Sequence, residues 1–168
     1  MFSPYGSKEG YDYKAVVQSV DIEAPVDSVF RYLGNSSRVG EWSVFVDGII
    51  LLNPNIVSDG LPGCKRRPYN KTKGLWWDET ITKVIPDSLR QLTVENLHRF
   101  AMTANGLATE QRYTTLGPGR TRLTFTLFFI DKPRFYEQMK MYVGAYWVKD
   151  IYRRNLENIK SRVEGRKR

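Results

Sequence analysis

With 168 residues, 41% apolar and 26% charged, the chain has the length of one domain with room for a core and the composition of an ordinary soluble globular protein. No run of about 18 apolar residues exists, which excludes a helical membrane span. The net charge of +8 is read first as a solvated basic surface; nucleic acid or an anionic membrane as partner competes with that, but no recognition-helix or RNA-binding motif accompanies the charge, so no specific nucleic-acid partner is expected.

A polar, glycine-containing arm, residues 1–11, leads into a domain expected to span 12–164. Tyr13 to Glu23 alternates, with Val16, Val20 and Ile22 on one side, and reads as a strand. Ala24-Pro25 stops it. Val26, Val29, Phe30 and Leu33 then follow at helical spacing, and a second short turn or helix runs to about Gly40. Trp42 leads into a strand over Val44 to Leu52. Strands are predicted next at Cys64–Tyr69, Leu75–Ile85, Leu89–Asn96, Thr103–Leu116 and Arg120–Ile130, separated by turn residues such as Pro86-Asp87-Ser88 and Gly117-Pro118-Gly119. The last element is the longest: Pro133 to Val163, a helix of roughly 45 Å. Asp131 suits its N-cap and Pro133 its first turn. Met141, Ala145, Val148, Tyr152, Leu156, Ile159 and Val163 form one stripe. The first half is apolar on further sides as well, through Phe135, Met139, Tyr142 and Tyr146, so it must touch something beyond the core or cover a cavity. Gly144 is a plausible bend. Residues 165–168 form a basic tail.

The order is strand, two short helices, six strands and one long helix. Short turns between consecutive strands argue for an antiparallel sheet, and a single long helix must bury its stripe against it. The class is α+β, with about seven strands curled around the C-terminal helix. At this point the sequence resembles a known superfamily. Ser19-Val20-Asp21-Ile22-Glu23-Ala24-Pro25-Val26-Asp27-Ser28-Val29-Phe30 is similar to the opening of the helix-grip, START-like (SRPBCC) proteins. Trp42, Gly60 with Gly63, Glu79 with Ile81, Pro86-Asp87, Gly119 and the Leu156-Asn158-Ile159-Lys160 ending resemble it too. The polyketide cyclase/dehydrase and lipid-transport branch is the nearest match. The resemblance implies a cavity between sheet and helix that takes an apolar or amphipathic small molecule, but one fold hosts many functions.

No phosphate-binding glycine loop, His-Glu-x-x-His pair or nucleophile elbow is present. One cysteine, Cys64, and one histidine, His98, leave no internal disulfide and no Cys/His zinc site, and fit a reducing, cytoplasmic setting. No metal or cofactor is expected. What remains is polar groups on inward strand positions. Trp77 and Ile81 put Glu79 inside, the alternative being a glutamate paired with an arginine at the sheet rim; Leu92 and Val94 put Asn96 inside, and His98 either follows it or stands on a solvent-exposed loop. A carboxylate there loses solvation and could orient a ligand hydroxyl or move a proton. The expected cavity residues are Trp42, Trp77, Glu79, Ile81, Val94 and Asn96, then His98, Phe125, Leu127, Met139, Tyr142 and Tyr146. Three readings follow: a carrier or sensor of a hydrophobic ligand, using basic clusters such as Lys65-Arg66-Arg67 near anionic membranes; a cyclase/dehydratase-type enzyme in which Glu79 or His98 shuttles protons; or a structural or interaction domain with a collapsed core and no ligand.

Overall fold

The computed structural model describes residues 5–6, 15–100, 106–129 and 135–165, and of residues 5, 6, 15, 135 and 137–142 the backbone alone. Asp131 and Pro133, expected at the start of the long helix, lie outside the described residues. The strands are β1 (Tyr5–Gly6), β2 (Ala15–Ile22), β3 (Gly48–Leu51), β4 (Lys65–Asn70), β5 (Leu75–Ile85), β6 (Leu89–His98), β7 (Leu107–Gly117) and β8 (Arg120–Phe129). All pair antiparallel in one sheet of order β1-β2-β8-β7-β6-β5-β4-β3. The expected seven strands thus gain an eighth, since Tyr5 and Gly6 of the arm pair with Val16 and Ala15 at the sheet edge.

Between β2 and β3 lie α1 (Val26–Gly34), a 3₁₀ turn (Ser36–Arg38) and α2 (Val39–Trp42). Pro25 precedes α1 with φ −62° and caps it without a side-chain bond. Proline needs no N–H there, and its fixed φ suits the entry. The chain ends in α3 (Phe135–Val163), which is continuous through Gly144.

Ala145, Leu156 and Ile159 of the predicted stripe are buried. Leu156 and Ile159 pack with Ile22, Leu123 and Phe125, while Val29 and Leu33 of α1 close the same cluster from the side. Polar contacts tie the C-terminal half of α3 to its surroundings: Lys160 Nζ donates to the Asp21 carbonyl, and Asn158 Nδ2 to the Trp42 carbonyl at 3.0 Å. That half is therefore held on both β2 and α2. In the N-terminal half Ala145 packs with Val16 and Leu127, while Val143 on another side is 73% exposed.

Candidate ligand-binding site

Between the concave sheet and α3 lies a cavity of about 510 Å³. Its size falls in the range of small-molecule sites. Val94, Phe125 and Leu127 form its sheet wall, Val148 and Ile151 its helix wall, and Leu33, Val39 and Trp42 its closed end. Strand alternation and helical periodicity both send these apolar side chains inward. Edge-to-face contacts join Trp42 to Phe125 (6.3 Å) and Phe125 to Tyr152 (5.5 Å) and stiffen the wall.

Two polar networks reach this apolar shell, one through Arg66 and Glu79 and one through Gln111, all three of which line it. Arg66 on β4 stands opposite Glu79 on β5, and its Nε donates to Glu79 Oε2 at 2.8 Å. Trp77 Nε1 donates to Glu79 Oε1, also at 2.8 Å. Arg66 Nη1 continues to Ser36 Oγ, which donates to Asp59. Arg66 and Glu79 are both buried, so each supplies the counter-charge the other has lost to burial. In the second network Arg90, 2% exposed, donates from Nη1 to Gln111 Oε1 and to Tyr113 Oη, both at 3.1 Å. Tyr113 Oη in turn donates to Gln111 Oε1 at 2.8 Å. Burial pushes the Tyr113 phenol up to about 12, against the pull of Arg90, so it remains a donor. The Arg90 guanidinium lies 4.6 Å over the Phe30 ring, and Gly34 leaves it room: a Cβ there would stand 3.1 Å from Nη2.

Asn155 and Tyr152 of α3 complete the polar wall. Asn155 Oδ1 accepts from the Val44 N–H at 2.8 Å, fixing the loop after α2 to the helix. The Tyr152 hydroxyl is pushed up by burial and by the nearby Glu79 charge. At the opening, Phe45 meets Trp147 edge-on (4.6 Å) and stacks near Trp77 (6.1 Å), and Trp77 meets Phe100 (5.6 Å). Lys73 Nζ sits over both Phe45 and Trp147, at 5.5 and 5.2 Å.

Of the expected cavity residues, Trp42, Trp77, Glu79, Val94, Phe125 and Leu127 line it. Ile81 does not: it is fully buried in a separate cluster with Cys64 and Leu92, against which Val57 packs. Asn96 and His98 are corrected outright, for both are exposed. The step from Asp78 to Trp76 on β5 is matched by the longer step from Glu95 to His98 on β6. One extra residue there, with Asn96 at φ 52°, reverses the alternation and turns Leu97 to the cavity instead. His98 stacks on Trp76 (4.7 Å), whose other partner is the Arg67 guanidinium at 4.0 Å, and Asn96 Nδ2 bonds Asp78 Oδ2 at 2.9 Å. Tyr146 is 38% exposed and off the wall. The side chains of Met139 and Tyr142 lie outside the described residues.

Sequence reasoning passed over Arg66, Arg90, Gln111, Tyr152 and Asn155. Arg66 carried a signal, since alternation with buried Cys64 and Pro68 puts the middle member of Lys65-Arg66-Arg67 inside. Asn155 carried another, as a polar residue seven positions after Val148 in the apolar stripe. Gln111 shares the parity of Tyr113 but has no strong apolar neighbours to announce it.

A curved antiparallel sheet closing on a C-terminal helix around a cavity defines the helix-grip class. Within it, the family described as polyketide cyclase/dehydrase and lipid transport matches residues 14–164, and the chain belongs to that family. Its structure is similar to Zhui aromatase/cyclase from Streptomyces sp. R1128, with 17% identity, a TM-score of 0.64 and coverage of 92% of this chain and 95% of that one. It is also similar to a START superfamily protein from Mycobacterium smegmatis (16%, TM-score 0.65, 90% and 97%) and to major latex-like protein 151 from Panax ginseng (13%, 0.65, 88% and 95%). At these identities the likeness concerns the fold. A comparison with curated protein sequences returns no match.

Proposed function

We propose that the protein binds a hydrophobic or amphipathic small molecule, lipid-like or polycyclic, and acts as its carrier or sensor. The observation that supports this most is the cavity of about 510 Å³, walled mostly by apolar side chains and opening beside α3. Removing apolar ligand area from water contributes about 25 cal/mol per Å² without any catalytic group. The proton-transfer reading of a cyclase/dehydratase has less support. Both oxygens of Glu79 already accept bonds, and His98 stands on the outside of the sheet.

The setting proposed is cytoplasmic, with contact to anionic membranes. No helix among the described residues is long and apolar enough to cross a bilayer. Lys73, Arg99, Val143 and Trp147 lie together around the opening of the cavity, where a ligand would enter from a surface.

Native mass spectrometry of protein isolated from its own host tests the ligand reading. A co-purified molecule of apolar character, released on unfolding, is the expected result. Protein that carries nothing, and whose Trp42 and Trp77 fluorescence ignores a panel of apolar compounds, would refute it.

A further inference from the structure

The cavity's polar groups divide unevenly between donors and acceptors. Arg90 and the Val44 N–H can only donate, so they force the amide oxygens of Gln111 and Asn155 toward themselves. Gln111 Oε1 takes two donors and Asn155 Oδ1 takes one. Each amide must then turn its NH₂ group the other way. Most of the remaining side-chain acceptors are engaged as well; the exceptions are the hydroxyl oxygens of Thr109 and Tyr152, which line the cavity and accept no bond among the described residues. Glu79 accepts from Arg66 and Trp77, Ser36 Oγ accepts from Arg66, Ser43 Oγ accepts from the Val46 N–H, and Glu110 accepts from Gln91 and Arg112.

The donors are not used up. Among the described residues, Arg66 Nη2, Gln111 Nε2, Asn155 Nδ2 and the Tyr152 hydroxyl bond no protein acceptor, and none of them is sealed from the open space beside it. Arg66 and Asn155 are each more than nine-tenths buried, at 7% and 6% exposure, and all four residues line the cavity. Behind them, Arg90 Nε and Trp42 Nε1 are buried donors with no bonded acceptor among the described residues. The Tyr152 phenol, pushed up by burial, keeps its proton.

We infer that the ligand's polar end is an acceptor-only oxygen group, a carboxylate or a ketone, held by Arg66, Gln111, Tyr152 and Asn155. The inference rests on the proposal that the cavity binds a ligand, and adds its chemistry. Glu79 already supplies the counter-charge of Arg66, so what ranks carboxylate first is its two oxygens for four donors, one of them a charge-assisted bond from Arg66 Nη2. An alcohol brings a single oxygen to four donors and must spend its hydrogen on one of the two hydroxyl oxygens left, Thr109 or Tyr152, and a protonated amine brings only donors. Leaving such a donor unmet weakens binding about tenfold or more.

Quenching of Trp42 and Trp77 by molecules sharing one alkyl body tests this: decanoate, 2-undecanone, 1-decanol and decylamine. Decanoate should bind tightest, the ketone next, and both at least tenfold tighter than the alcohol and the amine. Asn155→Asp keeps the Val44 bond and replaces the free donor with an acceptor, and Tyr152→Phe removes only a hydroxyl. With folding verified by thermal melts, each should shrink the margin of decanoate over decanol about tenfold. Equal binding of all four molecules would overturn the inference and leave the carrier reading standing. An amine preference would do the same. Failure of all four to quench would overturn it together with that reading.

Discussion

Glu79 is held by two donors inside an apolar wall, and that makes its loss lopsided. Removing the carboxylate leaves the Arg66 guanidinium, 7% exposed, without its counter-charge. Glu79→Ala should therefore lower stability by about 3–5 kcal/mol in urea unfolding, whereas Arg66→Met with Glu79→Leu, which removes both charges, should lose far less. Additive losses would mean that the two residues act independently. Asp78, on the other side of the same strand, behaves differently because water still reaches it. The Arg67 guanidinium bonded to Asp78 at 2.7 Å holds its carboxyl below the ordinary 3.8; burial opposes this, and the Asn96 bond adds to it. A carboxylate with a depressed folded pKa contributes stability at pH above the unfolded value and loses it as pH falls through the folded one. Stability should thus decline below about pH 4, and Asp78→Asn should flatten that acid limb without steepening the profile at neutral pH. Unfolding midpoints between pH 2 and 7 for both proteins decide it: parallel curves would show that Asp78 carries no part of the decline.

The long helix and the strands differ in how far their sequences announce them. On α3 the stripe Ala145, Val148, Tyr152, Leu156, Ile159 was readable because 3.6-residue periodicity survives over many turns. Leu156, 1% exposed in the main cluster, should cost about 2–5 kcal/mol on replacement by alanine, while Arg154→Ala, on the exposed side, should stay within about 0.5 kcal/mol. Comparable losses would contradict the packing of the helix. Strand parity is more fragile, because a single inserted residue inverts it. That is why Trp77 and Glu79 on β5 and Phe125 and Leu127 on β8 could be read directly, while β5 beyond Ile81, where the register shifts, and everything after Val94 on β6 could not. Little in Glu95-Asn96-Leu97-His98 marks which residue is the extra one before Asn96 is seen at φ 52°. The asparagine is the one clue, since it tolerates the left-handed region better than most residues. The polar network that reaches the cavity through Gln111 was no more legible. Arg90, Gln111 and Tyr113 converge from β6 and β7, and only the cross-strand register, with Arg90 opposite Gln111, brings them together.

The +8 charge is spread over the chain, but its position relative to the cavity matters more than its sum. Lys73 lies over Phe45 and Trp147, and Arg99 borders Gly74 closely enough that a Cβ there would meet its Nη1 at 2.8 Å. Val143 and Trp147, 73% and 40% exposed, place apolar surface beside those cations. Apolar side chains ringed by basic ones suit an anionic bilayer, where the apolar groups enter the interface and each lysine or arginine adds about 1 kcal/mol. A carrier that docked by this rim would present its opening to the membrane from which it loads. Co-sedimentation with phosphatidylserine-containing vesicles should therefore exceed that with pure phosphatidylcholine. It should fade between low salt and 0.15 M ionic strength, where the screening length is about 8 Å. Lys73→Glu should weaken the association about fivefold or more, and Trp147→Ser should weaken it even where the charge is untouched. Equal partition onto neutral vesicles would point to apolar contact alone. No partition at low salt, or full retention by Lys73→Glu, would separate the basic rim from membranes altogether and leave the charge a matter of solubility.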